Sequence, residues 1–205
     1  MKKIIITVML MLLSSMSVLA ITDDEIIQDQ SIQARVNRVR TQILNANKIQ
    51  GRIIFVYDKT AKESLIKMDK TVSKREIIMY QEYYRQISDE NELAAYLARE
   101  ISNASRTYDG IGNGWLTAVQ IKAAPKKFET VADKRAVDFM VKAGYNPVAL
   151  ITFINKALPQ HYQDFISNKN LTSKRLALIY EFIYTKFPYY LANNDYLENP
   201  HYQNF

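Results

Sequence analysis

The sequence predicts an α+β fold, mostly helical with a small sheet, and three observations carry that prediction. Apolar residues recur at helical spacing in five separate stretches. One β-branched and aromatic run, RIIFVYD after Gly51, has candidate strand partners in SLIKM and EIIMY. No cysteine occurs among the 205 residues, so no disulfide framework is available and an apolar core must hold the chain.

Residues 1–20, MKKIIITVMLMLLSSMSVLA, open with Lys2 and Lys3, continue through an apolar run from Ile4 to Leu13, and end in small residues. This is the layout of a secretory signal peptide with cleavage after Ala20, which predicts secretion or a periplasmic location. The alternative is a membrane anchor. The apolar run is shorter than the roughly 18–20 residues a spanning helix needs, so no stable membrane span is expected once the segment is cut. Residues 21–188 are then long enough for one domain, and a tyrosine-rich tail follows over residues 189–205.

The formal charge is +6 and includes Lys2 and Lys3, so residues 21–205 carry +4. Basic residues are scattered through KTAKESLIKMDKTVSKRE and APKK without stacking aromatics, which gives no nucleic-acid footprint.

The first helix follows a capping box at Thr22 to Glu25, with Ile32, Val36, Val39 and Ile43 on one face up to about Asn47. A second helix starts at Asp89, has Glu92 three residues on, and runs to about Ser105. The stretch from Ser105 to Lys127 holds Gly110, Gly112, Gly114 and Trp115 and reads as a loop over a site. A third helix spans about Lys127 to Ala143 and stops at Gly144, a residue suited to a left-handed cap. Asn146 and Pro147 open a fourth, PVALITFINKAL, closed by Pro159. The last helix, near Thr172 to Lys186, carries Leu176, Ile179, Tyr180, Ile183 and Phe187 on one face and ends before Pro188.

Acidic residues interrupt two of these faces. On the second helix Leu93, Tyr96, Leu97, Ile101 and Ala104 form an apolar stripe, and Glu100 projects from its middle. An unpaired buried carboxylate is costly, so Glu100 needs a partner or a chemical role. On the third helix Phe128, Ala132, Ala136, Phe139, Met140 and Ala143 make the core stripe, with Glu129 and Asp133 one turn apart along its edge. The alternative for that pair is surface pairing with Lys or Arg.

With these residues in view, the chain resembles the M48 family of zinc metallopeptidases. The run ENELAAYLAREISNA is similar to the flanks of the family's HExxH helix. ETVADKRAVDFMVKAGYNPVAL, Glu129 to Leu150, is similar to its ExxAD helix and following turn, and NKNLTSKRLALIYEF retains Leu171, Ser173 and Arg175 of a later segment. The resemblance implies a zincin-like peptidase domain over residues 21–188, acting in the bacterial envelope on misfolded or misassembled proteins. It puts Glu100 at the general-base position, Glu129 at the third metal ligand and Asp133 at a supporting acid, with Arg175 on the later helix.

The imidazole positions are lost. Arg99 and Asn103 stand where two histidines one turn apart would hold zinc, and Lys169, with Asn170, stands near a third histidine of the family. Arg99 and Lys169 have no lone pair for a metal, and Asn103 is a weak oxygen donor. His161 and His201 are the sole histidines, and neither has a second ligand one turn away. Without a metal the three acids need a cation, and the Arg99 guanidinium can supply it; the alternative is that Arg99 reaches solvent.

Two functions compete. One is an inactive pseudopeptidase that needs no cofactor and binds, adapts or regulates envelope or secreted proteins, including unfolded polypeptide. The other is an active zinc-dependent endopeptidase of protein quality control, with unconventional or partner-supplied ligands. A third reading makes the tyrosine-rich end, with Tyr180, Tyr184, Tyr189, Tyr190, Tyr196 and Tyr202, an adhesive surface, although tyrosines equally suit packing on a core.

Overall fold

The computed structural model describes residues 23–60, 65–69, 74–108, 125–157 and 171–205. The expected signal segment, the cap at Thr22, the stretch with Gly110, Gly112, Gly114 and Trp115, and Pro159, His161, Lys169 and Asn170 lie outside the described residues, as does the side chain of Phe128. The chain divides into two units, residues 1–32 and residues 33–205. The described part of the first is the start of helix α1, Asp23–Ala46. The rest of α1 and every later element belong to the second.

From Gln33 onward α1 buries Val36, Val39 and Ile43, the face its spacing predicts. It ends in a Schellman motif: Lys48 N donates to Asn45 O at 3.1 Å and Ile49 N to Leu44 O at 2.9 Å. The left-handed residue of that motif is Lys48, with φ 53°. Glycine is the usual occupant, because a Cβ at such a φ costs roughly 1–2 kcal/mol.

Strands β1 (Arg52–Asp58), β2 (Leu65–Asp69) and β3 (Lys74–Tyr80) form one sheet in the order β1-β3-β2. Central β3 runs parallel to β1, with Phe55 opposite Ile77, and antiparallel to β2. Ile53, Phe55, Ile77 and Met79 are fully buried. The amide of Gln33 closes β1's outer edge by donating to Phe55 O at 2.9 Å and accepting from Tyr57 N at 2.8 Å, which satisfies backbone groups that an edge strand leaves open. A short helix, α2 (Gln81–Gln86), follows β3 directly.

Helix α3, Glu90–Tyr108, is central. Asp89 Oδ1 caps it by accepting from Glu92 N at 2.8 Å. Leu93, Leu97, Ile101 and Ala104 are fully buried and Tyr96 nearly so, each large aliphatic contributing about 1.5–3 kcal/mol. The helix runs three residues past Ser105, whose hydroxyl bonds back to Ile101 O at 2.7 Å and so stays within the helical ladder. Helix α4, Pro125–Lys142, begins two residues before Lys127, with proline at its first position. It ends in a second Schellman motif, and there the left-handed residue is Gly144, φ 82°.

Helix α5, Ala149–Ala157, starts two residues later than Pro147, because Asn146 Oδ1 takes Val148 N at 3.0 Å in a local turn. Helix α6 spans Leu171–Lys186. Helix α3 packs on α4 and α5, and α6 packs on α4 and α5. No helix among the described residues is long and apolar enough to cross a membrane.

The end of the chain folds back as α7 (Tyr189–Ala192) and α8 (Pro200–Gln203), with α8 against α5. Tyr196 is buried and donates to Asp89 Oδ2 at 2.8 Å, while Tyr184 and Tyr189 are exposed. Residues 189–205 are thus tied to the N-terminus of α3.

Candidate functional site

Helices α3, α4 and α6 bring five charged side chains together. Arg99 and Glu100 are neighbours on α3, and each side chain is 13% exposed. Adjacent helical residues point about 100° apart, so the guanidinium must fold back for its Nη1 to reach Glu100 Oε1 at 2.8 Å. Its Nε stands 3.4 Å from Asp133 Oδ1, close enough for attraction but without hydrogen-bond geometry.

Asp133, at the edge of α4's apolar face, is not at the surface. It is fully buried, because α6 covers that side of α4 and delivers Arg175. Arg175 holds Asp133 with two hydrogen bonds, Nε to Oδ2 at 2.5 Å and Nη2 to Oδ1 at 2.7 Å, the planar fork that suits a carboxylate. Its Nη1 lies 3.9 Å from Glu129 Oε2, and the Glu129 side chain is one-third exposed at the rim. Burial alone would lower the pKa of Arg99, but the fields of Glu100, Asp133 and Glu129 outweigh it and hold the guanidinium above its usual value. Arg99 is a permanent cation here.

Tyr83 of α2 adjoins this group. Burial, then the neighbouring Tyr80, pushes its phenol up to about 12, with Arg99 pulling down and Glu100 pushing up. Its ring lies 4.4 Å from that of Tyr80 and 5.7 Å from that of Tyr96, centroid to centroid. No periodicity announces Tyr83, because a six-residue helix is too short to show one.

Of the residues named from the sequence, Arg99, Glu100, Glu129, Asp133 and Arg175 converge. Asn103 sits half-buried on α3, one turn beyond Arg99. Lys169 lies outside the described residues, and His201 is exposed on α8. Among the described residues no three His, Cys, Asp or Glu side chains are grouped as metal ligands.

A second buried acid escaped the sequence reading. Glu92 is fully buried and accepts from Ser88 N at 2.7 Å, Thr152 Oγ1 at 3.0 Å and Lys156 Nζ at 2.5 Å. The signal was present, since Glu92 lies one turn before Tyr96 on the apolar stripe. Its place in the capping box concealed it.

Chemically, the cluster is a set of acids satisfied by guanidinium donors. Its arginines donate hydrogen bonds and positive charge but cannot accept a proton. Comparison of the chain with protein-family models, with curated proteins and with solved structures gives no match.

Proposed function

We propose that this chain is an exported, zincin-like derivative of the M48 peptidases that binds polypeptide without cutting it. One observation carries the reading. The residue at the first lost histidine position, Arg99, is a buried guanidinium bonded to Glu100 at the general-base position and 3.4 Å from Asp133.

On this reading the zinc ion that the resemblance implies does not suit the residues present. A catalytic zinc site takes three nitrogen, sulfur or oxygen ligands and leaves a position open for water. Here the centre would face a cation without lone pairs, and both oxygens of Asp133 already accept from Arg175. Arg99 supplies positive charge to these acids but cannot polarise a water as a divalent ion does. Its role is to hold α3 and α4 together, leaving the surface around them for an envelope protein or an unfolded chain.

The test is elemental analysis of purified protein for zinc, with casein as a probe of both binding and cleavage. The expected result is no stoichiometric zinc, measurable casein binding and no cleavage. Chelator-sensitive cleavage that disappears in Glu100→Gln would instead establish the zinc endopeptidase. Export belongs to the same proposal, and an intact mass beginning at Ile21 in the secreted fraction is expected.

A further inference from the structure

On the other side of the α3–α4 pair lies a pocket of about 420 Å³, within the usual range for small-molecule sites. Arg135 is two residues from Asp133, about 200° around α4, so it points away from the carboxylate cluster and into this pocket. Lys48 enters from the end of α1 and Ser105 from α3, with Ile49 and Phe139 supplying apolar surface. Phe139, expected in the core, is half-buried for this reason.

Three features mark the pocket as built. Its two cations, Lys48 and Arg135, have no ion-pair partner among the described residues, whereas Arg99 and Arg175 are bonded to acids. Lys48 is the one non-glycine described residue at positive φ, in a motif position that the same chain fills with glycine at Gly144. A backbone held in a sparsely populated region at the lining of a cavity points to a use for the exposed side chain it carries. The wall is also fixed: Asn47 Nδ2 donates to Ile43 O at 2.9 Å and to Phe139 O at 3.0 Å, which fastens the Lys48 turn to α4.

We propose that this pocket binds a small amphiphilic organic anion, a carboxylate or phosphate monoester, whose charged head lies between Lys48 and Arg135 and whose apolar body covers Phe139 and Ile49. A planar guanidinium and an ammonium together suit either head group. An inorganic anion would leave the apolar surface unused, and a neutral lipid would leave two cations unmatched. The inference is independent of whether the chain descends from a peptidase.

Calorimetric titration with octanoate, octyl phosphate, octanol and inorganic phosphate tests it, alongside amide chemical-shift mapping. Octanoate and octyl phosphate are expected to bind and to shift residues 48–51, 105 and 135–139. Lys48→Gly and Arg135→Gln should each weaken that binding about tenfold. Lys48→Gly suits the left-handed backbone, so the fold is retained and loss of binding reads the side chain alone. Binding unchanged in both variants, or no binding by either octyl anion, overturns the proposal. So does inorganic phosphate binding as tightly as octyl phosphate, or octanol as tightly as octanoate.

Discussion

If Arg99 and Asn103 occupy former imidazole positions, restoring histidine at both should create a zinc site. The positions are one helical turn apart on α3, so two imidazoles there would share a face, and Glu129 on α4 is near enough to Arg99 to act on its charge. Glu129, one-third exposed at the rim and 3.9 Å from Arg175 Nη1, is the carboxylate expected to serve as the third ligand. Without metal, Arg99→His with Asn103→His should destabilise the protein by about 3 kcal/mol, the lower end for breaking a buried pair, since Asp133 keeps Arg175. Zinc at a hundred times its Kd should return about 2.7 kcal/mol. At about 2–4 °C per kcal/mol for a chain of this size, that is a rise in Tm of roughly 5–11 °C. Differential scanning calorimetry with and without zinc reads it, and a triple variant with Glu129→Ala should lose most of the rise. A double variant that folds yet gains nothing from zinc, or a triple variant that gains as much, would refute the placement of these residues around an ancestral metal.

Arg175→Met should cost about 3–5 kcal/mol in urea unfolding, because it strands a fully buried Asp133; combined with Asp133→Asn it should cost less than the two single changes added, and a single-variant loss below 1 kcal/mol would mean that the pair is open to water. Tyr196→Phe removes a hydrogen bond to the Asp89 carboxylate and should cost about 1.5–3 kcal/mol, while truncation after Pro188 should cost more; an unchanged unfolding midpoint on truncation would make the end a free tail. Burial raises Tyr83 to about 12 and, with Glu90 next in weight, Tyr145 to about 12. Unfolded tyrosine ionises near 10, so the folded state keeps protons that the unfolded state releases, and stability should fall between pH 10 and 12. Tyrosinate absorbance should show Tyr83→Phe removing one late-titrating phenol.

The elements that a single face explains were legible in the sequence. Leu93, Tyr96, Leu97 and Ile101 repeat at helical spacing and are buried where α3 packs on α4 and α5. The strand RIIFVYD alternates as it should, and Gly144 takes its left-handed cap. Helix ends were less legible. Ser105 reads as the end of the second helix and Asn146 as the opening of the fourth, yet the first bonds back into α3, which continues, and the second forms a turn that delays α5. Both outcomes depend on where one side-chain oxygen finds its donor or acceptor, and composition does not record that.

The charged centre was legible in its members and obscure in its depth. An apolar stripe locates a helix against one neighbour, and by that measure Asp133 sits at an edge. Helix α4 has two neighbours, and the second, α6, covers the edge with a residue 42 positions away in the chain. Arg99, Asp133 and Arg175 would each read as surface residues if taken singly, because the free energy that permits their burial belongs to the pairs. Breaking such a pair strands a charge, whereas replacing the whole group with apolar residues need cost nothing. Retained hydrogen bonds among Arg99, Glu100, Asp133 and Arg175 therefore argue for geometry, since a buried fork fixes the rotation of α4 against α6 more tightly than aliphatic packing does. The same rotation turns Asp133 inward and Arg135 into the pocket on the opposite side. Securing one face of α4 thus presents the other.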